Sequence, residues 1–291
     1  MALSAACGCG RGDFYALGHN RHFDAAFEAI NPMTPLSPTS RFTHVVHFAN
    51  GVSDRVERVP DRLLQTWWSV TRHLAYAVGF PRGVFEIDAG GVGEVILDDH
   101  AGTFFGLWGT GDDVLFACGF RPFALQRRGG RWRELALPEL PTRRLHAVCG
   151  TDERDVLFVG AQGVILHFDG TSVVMLEAPT TRNLLSIAAL GSQRYCIGGA
   201  GGTLLYGNSK GWRVMPSRVE DDLMHLATFH AQVYYPSLDG LFMFDGMQPP
   251  QRVLDLPCDA VSSLGDALLV VHETSAWLYD GGAPVRLDTT V

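Results

Sequence analysis

Few stretches of this chain have the residue types and spacing that catalysis requires. The stretch GNSKG at 207–211 matches the G-x-S-x-G pattern of serine hydrolases, but that mechanism needs the serine on a turn from a strand into a helix. Here the pattern lies between two short apolar runs, which predicts a hairpin turn. His44 and His47 are three positions apart in a strand-like run, so they lie on opposite faces and cannot share a metal ion. We therefore predict no catalytic residues, no metal ligands and no cofactor.

One group of ionisable residues could form a site only if the fold assembles it. His19, His22 and Asp24 lie near the start of the chain, and Asp99 and His100 lie much further along. At the mouth of a channel, such a set could act as acid and base or bind a metal. A hydrolase or lyase with its site at the channel mouth is therefore the alternative to a non-catalytic protein.

Composition argues against two further classes of function. The chain has 291 residues, 46% hydrophobic and 19% charged, which is typical of a protein with a large apolar core. Its 31 acidic and 23 basic residues give a net charge of −8, whereas nucleic acids and anionic membranes select basic surfaces. No apolar run reaches the roughly 18 residues of a membrane span, and the N-terminus lacks the features of a signal peptide. We expect a cytoplasmic protein that is monomeric alone and contacts neither nucleic acid nor membrane.

A repeat organises the chain. The stretch VLFVGAQGVILHFDG at 156–170 consists of two apolar runs, the first closed by glycine and the second by Asp-Gly. The glycine that closes the first run recurs at nearly even spacing, at Gly79, Gly119, Gly160 and Gly199. A period of roughly 40 residues, as this spacing gives, predicts a propeller or a solenoid.

Each repeat has the chemistry of four short β-strands. The runs are rich in Val, Leu, Phe and Tyr and end at Gly, Asp-Gly or Pro, as strands and hairpins do. Both sides of a run such as VLFV are apolar, so each sheet must be covered on both faces. The sequence therefore predicts an all-β, seven-bladed β-propeller that forms a single domain over 1–291, with six blades as the alternative. We place the blades at 1–60, 61–98, 99–138, 139–180, 181–217, 218–257 and 258–291.

The first repeat contains an insertion over residues 19–42, between its second and third strands. Phe23, Phe27 and Ile30 follow helical spacing within it, and Asn31-Pro32 ends that helix. Without the insertion, the first repeat is as long as the others. We predict a short helical insertion, which either contacts a partner or plugs the channel.

The unit resembles a bacterial propeller repeat of the form W-G-x-x-x-D-V-[FWY]-x-V-G-x-x-G-x-I-x-H-[FY]-D-G-x-x-W. Residues 107–114 carry its first half and residues 155–170 its second half. The unit is more distantly similar to WD-repeat, kelch and photosystem-assembly propellers. The resemblance implies an architecture rather than an activity, because its glycines make turns and its aromatic residues fill space between blades. His167 occupies the histidine of the repeat, where we expect it to be hydrogen-bonded between blades.

One face of the predicted propeller is rich in arginine. This face combines the loops between the second and third strands with the linkers between blades. Arginine is enriched at protein interfaces and binds carboxylates in bidentate geometry. We therefore predict that this rim, together with the insertion, binds a protein partner. The predicted contact residues are His22, Asp24, Phe27, Glu28, Arg62, Arg82, Arg121, Arg143, Arg144, Arg182, Arg218 and Asp221.

These features predict a non-catalytic protein-binding module. A scaffold and an immunity protein that blocks a bacterial toxin or effector are two forms that such a module takes. A glycan-binding propeller is a further alternative, and it requires the same exposed tryptophan in every blade. Trp132 and Trp212 lie two periods apart, but Val173 occupies the position between them.

Overall fold

The computed structural model describes residues 2–19, 42–80, 83–95, 103–111, 114–191 and 193–288. Within these ranges, strands account for nearly all of the regular structure, and one 3-10 turn spans Ala161–Gly163. None of the described segments is a helix of the length and hydropathy needed to cross a bilayer.

The strands of the first three blades are β1 (Ala2–Gly10), β2 (Asp13–His19), β3 (Thr43–Ala49), β4 (Val52–Val59), β5 (Arg62–Ser69), β6 (Leu74–Phe80), β7 (Val84–Asp88), β8 (Gly91–Val95), β9 (Phe104–Gly111), β10 (Val114–Gly119), β11 (Ala124–Arg128) and β12 (Arg131–Glu134). Those of the last four blades are β13 (Leu145–Asp152), β14 (Asp155–Gly160), β15 (Ile165–Phe168), β16 (Val173–Leu176), β17 (Leu184–Ala189), β18 (Tyr195–Gly199), β19 (Thr203–Asn208), β20 (Gly211–Met215), β21 (Ala227–Phe229), β22 (Gln232–Ser237), β23 (Gly240–Phe244), β24 (Gln251–Leu254), β25 (Ala260–Ser263), β26 (Leu268–His272), β27 (Ser275–Tyr279) and β28 (Val285–Arg286).

These strands form seven antiparallel sheets of four, each in chain order. The seven-bladed propeller is thereby confirmed, and the six-bladed alternative is wrong because β1 to β4 pair with one another as a complete blade. The first strands of neighbouring blades contact each other around the ring, so the first strand of each blade is innermost.

An apolar core lies between each pair of neighbouring blades, and this arrangement explains the doubly apolar runs. In β14, Val156 and Phe158 pack in the core shared with blade 3, whereas Leu157 and Val159 pack in the core shared with blade 5. All four side chains are fully buried. Complete burial of a side chain of this size contributes about 1.5–3 kcal/mol, so the second strand of a blade stabilises both of its neighbours.

The ring closes where blade 7 meets blade 1. Phe14 of β2 and Leu269 of β26 share one buried core. At the surface of the same junction, Arg11 pairs with Asp266 at 3.4 Å and with Asp280 at 2.9 Å. Closure therefore joins the two ends of the chain by packing and surface ion pairs, with each blade built from consecutive strands.

A buried hydrogen-bond network joins blades 4 and 5. Asp155 is only 5% exposed. Its carboxylate lies 2.9 Å from Nε2 of His167 and accepts hydrogen bonds from the hydroxyls of Thr151 (2.7 Å) and Tyr195 (2.8 Å). Burial is the main cause of a raised pKa for Tyr195, which keeps that hydroxyl a donor. His167 therefore has its hydrogen-bond partner within blade 4, and Tyr195 carries the network across to blade 5.

The predicted insertion falls between two described strands. β2 ends at His19 and β3 begins at Thr43. The hydroxyl of Thr43 donates to the carbonyl of Asp61 and accepts from the amide of Leu63, each at 2.8 Å, so it ties blade 1 to the start of blade 2. The predicted helix lies within residues 20–41, outside the described residues, so the insertion and the single-domain division stay predictions.

Candidate functional site on the loop rim

Two sets of connections define the faces of the propeller. The loops between second and third strands and the linkers between blades lie at the same ends of the strands, because every sheet is antiparallel and in chain order. We call this face the loop rim. The remaining hairpin turns form the opposite face, which we call the turn face.

Three predicted contact residues meet on the loop rim between blades 3 and 4. Phe120 and Arg144 form an isolated antiparallel bridge, and the amide of Arg121 donates to the carbonyl of Arg143 at 3.1 Å. The guanidinium of Arg144 lies 5.7 Å from the centroid of the Phe120 ring, within the range of a cation–π contact. The structure therefore brings Arg121, Arg143 and Arg144 together from a loop and a linker.

The side chains of this arginine cluster are available to a ligand. Arg121 and Arg143 are exposed, and Arg144 is partly buried. Within the described ranges, none of the three side chains forms an ion pair. Arg121 also holds a left-handed backbone conformation, with φ of 61°, which costs a non-glycine residue about 1 kcal/mol or more. The cluster thus places three arginines without ion pairs among the described residues on one face of a protein of net charge −8.

A recurring turn holds the linker arginines in place. The Thr142 hydroxyl accepts from the amide of Arg144 at 3.2 Å, and the Thr180 hydroxyl accepts from the amide of Arg182 at 3.1 Å. Ser217 makes the same contact with the amide of Val219, at 3.4 Å. A hydroxyl that caps its own backbone in this way fixes a turn, so the linkers present the residues that follow at equivalent places around the rim.

The remaining two linker arginines differ in their contacts. Nη1 of Arg182 donates to the carbonyl of Gly201 at 2.7 Å, which joins its linker to the neighbouring loop of blade 5. The residue is otherwise exposed. Arg218 is exposed and has a left-handed backbone, with φ of 67°, and its side chain has no hydrogen bond or ion pair within the described residues.

Two aspartates on the same rim, Asp221 and Asp222, are engaged by the protein itself. Oδ2 of Asp221 accepts from the Ser237 hydroxyl at 2.5 Å and from the amide of Leu238 at 3.3 Å. Oδ1 of Asp222 accepts from the amide of Gly201 at 2.7 Å. These carboxylates fasten one blade's linker to the loops of its neighbours, so a contact between Asp221 and a partner stays a prediction.

Arg62 is a correction to the predicted set. It begins β5, the innermost strand of blade 2, and only 5% of the residue is exposed. An innermost strand packs between its neighbours, so the side chain at this position is enclosed rather than presented on the rim. Its positive charge also contributes, after burial, to lowering the pKa of buried His19 to about 3.

Several predicted residues fall outside the described ranges, and their roles stay predictions. They include the acidic and histidine residues on which a catalytic channel mouth would depend. The residues are His22, Asp24, Phe27, Glu28, Arg82, Asp99 and His100.

The described residues offer little to either alternative function. The GNSKG stretch forms the hairpin turn between β19 and β20, with a strand where a serine hydrolase needs a helix. Trp132 and Trp212 are partly buried and pack against cores between blades, which leaves no repeated exposed tryptophan for a glycan in the described part of the chain. No group of three or more His, Cys, Asp or Glu side chains there could hold a metal ion.

Sequence reasoning missed two large apolar side chains on the loop rim. Met224 is 46% exposed in the linker before blade 6, and Leu238 is 62% exposed in the loop of that blade. Leu238 was visible in the sequence as an apolar residue directly before an Asp-Gly turn. Its exposure next to the arginine-rich linkers adds apolar surface of the kind that protein interfaces bury.

The fold and the rim define a seven-bladed β-propeller with WD40 domains among its structural neighbours. The chain superposes on the WD40 propeller domain of Doa1 with a TM-score of 0.71 and 10% identity, covering 93% of this chain and 89% of that one. It superposes on the WD40 repeats of RRP9 with a TM-score of 0.70 and 10% identity, covering 99% and 93%. For YCF48 bound to D1 peptide, the TM-score is 0.62 at 13% identity, covering 79% and 82%.

At the level of sequence, the chain is similar to one curated protein. Over 194 residues it is 26% identical to the immune protein Tsi7 of Pseudomonas aeruginosa. The match spans 61% of this chain and 62% of that protein's length. No family model matches the chain.

Proposed function

We propose that this chain is a non-catalytic, protein-binding propeller that acts in the bacterial cytoplasm as an immunity protein and inhibits a toxin by binding it through the loop rim. The observation that carries the proposal is the cluster of Arg121, Arg143 and Arg144, which the fold gathers from two segments and leaves without ion partners in the described residues. The predicted insertion over 19–42 would contribute a second contact.

The similarity to an immune protein supports the choice of an inhibitor over a scaffold. The charge pattern supports it as well, because an exposed cationic patch steers association with an acidic surface and raises the association rate. An inhibitor that must capture its target before damage occurs benefits from that rate.

The test begins with capture of the partner. The tagged chain is used to retrieve binding proteins from its own bacterium, and the retrieved protein is then expressed alone and together with this chain. We expect a stoichiometric partner that stops growth alone and is harmless in co-expression. A stoichiometric partner without effect on growth would overturn the immunity assignment.

Two variants test the surface. One replaces residues 20–41 by a short Gly-Ser linker, and the other is the charge reversal R143E/R144E. Each is expected to weaken partner capture while the thermal unfolding transition is retained. Unchanged capture by both would remove the loop rim from the binding site.

A further inference from the structure

The innermost strands carry the same irregularity in five consecutive blades. In blade 4, the pairing steps from Leu145 opposite Gly160 to Ala147 opposite Val159, so His146 opposes no residue. This is a β-bulge, in which an extra residue enters one strand. The equivalent extra residues in blades 1 to 5 are Ser4, Leu64, Phe105, His146 and Leu185.

The bulges lie at the mouth of the central channel on the loop rim. Each lies near the start of its innermost strand, just after the linker that enters the blade, and opposite the end of the second strand. From Leu64 to Leu185 they follow one another at the same spacing as the repeat itself. Bulges re-aim side chains and are frequent beside binding sites, so their repetition sets a ring of side chains around the mouth.

The members of this ring are mostly large and apolar, and we call Leu64, Phe105, His146 and Leu185 the apolar collar. All four are partly exposed. The Phe105 and His146 rings, from neighbouring blades, have centroids 6.1 Å apart. Nδ1 of His146 lies 2.8 Å from the carbonyl of Leu184 in the next blade. Burial lowers the pKa of His146, so its imidazole is neutral at neutral pH and suits apolar surroundings.

Blade 6 extends the collar without a bulge. Met224 follows Leu185 by one repeat length and is 46% exposed. An unbranched methionine adapts its shape to different apolar ligands. The apolar surface at the mouth therefore runs through five adjacent blades.

Two arginines of the loop rim lie in the linkers beside this apolar surface. Arg144 lies two positions before His146, and Arg182 lies three positions before Leu185. Both belong to the linkers of the loop rim. An apolar centre with cations beside it complements a ligand that carries an apolar side chain flanked by anions.

We propose that the apolar collar receives one aromatic or aliphatic side chain from an extended acidic segment of the partner protein, while the neighbouring rim arginines bind the carboxylates on either side of it. This inference rests on the proposed function and adds the chemistry of the segment that is bound. The collar holds the anchor side chain of the segment. The arginines fix the position of the segment along the rim and raise its rate of association.

A random peptide library displayed on phage tests the proposal. It is selected on the folded protein and counter-selected on the double variant L64S/L185S. Serine is the residue that blade 1 itself carries at the bulge, Ser4, so this variant should fold. The matched control is V70S/V214S, which removes two exposed valines, 73% and 61% exposed, away from the loop rim.

Enriched peptides are expected to carry an aromatic or aliphatic residue flanked by Asp and Glu. A synthetic copy should bind L64S/L185S at least tenfold more weakly than the parent, and V70S/V214S with parental affinity. Three outcomes would overturn the proposed collar site. They are a basic consensus among the selected peptides, equal affinity of a peptide for L64S/L185S and the parent, and no enrichment of any peptide. Capture of the full partner is measured separately with the same variants: capture that persists in L64S/L185S leaves the proposed function standing while the collar fails.

Discussion

The blade interiors and the loop rim treat charged side chains in opposite ways. In the interior, Asp155 accepts hydrogen bonds from two blades, and buried His19 has a pKa of about 3, which keeps it uncharged at neutral pH. On the rim, Arg121, Arg143 and Arg218 reach solvent and have no ion partner within the described residues. A buried charge without a partner is costly, whereas an exposed one costs the fold little and remains free to act on another molecule.

The rim acids sharpen this contrast. Asp221 and Asp222 lie as near the surface as the arginines, but their carboxylates are occupied by Ser237 and by backbone amides of neighbouring loops. Asp221 and Asp222 therefore organise the rim, whereas Arg121, Arg143 and Arg218 have no such side-chain partner in the described residues. The comparison predicts large effects on stability from interior changes and large effects on binding from rim changes.

The largest effect on stability is expected from Asp155→Ala. This change leaves Thr151 and His167 without their shared acceptor, while Tyr195 keeps only its 2.8 Å bond to the backbone carbonyl of residue 155. The loss of the buried carboxylate costs roughly 2–4 kcal/mol of unfolding free energy. Urea denaturation measures the loss. The control is Asp239→Ala, an exposed residue whose carboxylate accepts no hydrogen bond in the described residues, with an expected change within about 0.5 kcal/mol. Equal stability of the two variants would contradict the role given to the network.

The largest effect on binding is expected from R143E/R144E. Reversing both charges should weaken partner affinity about tenfold or more, mainly through slower association, and should reduce its salt dependence. Surface plasmon resonance at two salt concentrations measures both quantities. The control R131E/R154E makes the same charge change on the turn face. If both variants lose affinity equally, net charge rather than the rim governs binding.

A smaller effect is expected from pH. The folded-state pKa of His19 is about 3, and the ordinary value is 6.5. Below pH 6.5, the unfolded chain therefore binds a proton at His19 that the folded chain does not bind. Stability contributed by neutral His19 is complete above pH 6.5 and falls towards pH 3, by up to about 1.4 kcal/mol per pH unit. Urea denaturation at pH 7.5, 5.5 and 4.5 measures the free energy of unfolding. This free energy should fall less with decreasing pH for His19→Gln than for the parent. The same dependence on pH in both proteins would argue against a buried neutral imidazole.

The sequence carried the fold because the fold repeats. Gly119, Gly160 and Gly199 end the second strands of their blades, and Gly79 lies one residue before the end of β6. The doubly apolar run over 156–159 required cores on both sides. The same repeat spacing predicts where the arginine-rich linkers lie between the blades. Local pattern was enough wherever one repeat resembled the next.

Other features could not be read in that way. Arg62 has the sequence context of a rim residue, but it starts an innermost strand and is enclosed, which depends on packing between blades. The bulged collar has no signature in the sequence, because Leu64, Phe105, His146 and Leu185 share no residue type, although their spacing repeats. A bulge is visible only in the pairing of two strands.

Hydrogen–deuterium exchange on the complex with the partner tests the central claim most directly. The account predicts that binding protects the linkers around 141–144, 180–182 and 217–222, together with the start of the innermost strands that follow them. Amides in the hairpins of the turn face should exchange at the same rate in the free and bound protein. Protection confined to the turn face or to the outermost strands, with the rim linkers unchanged, would contradict the account.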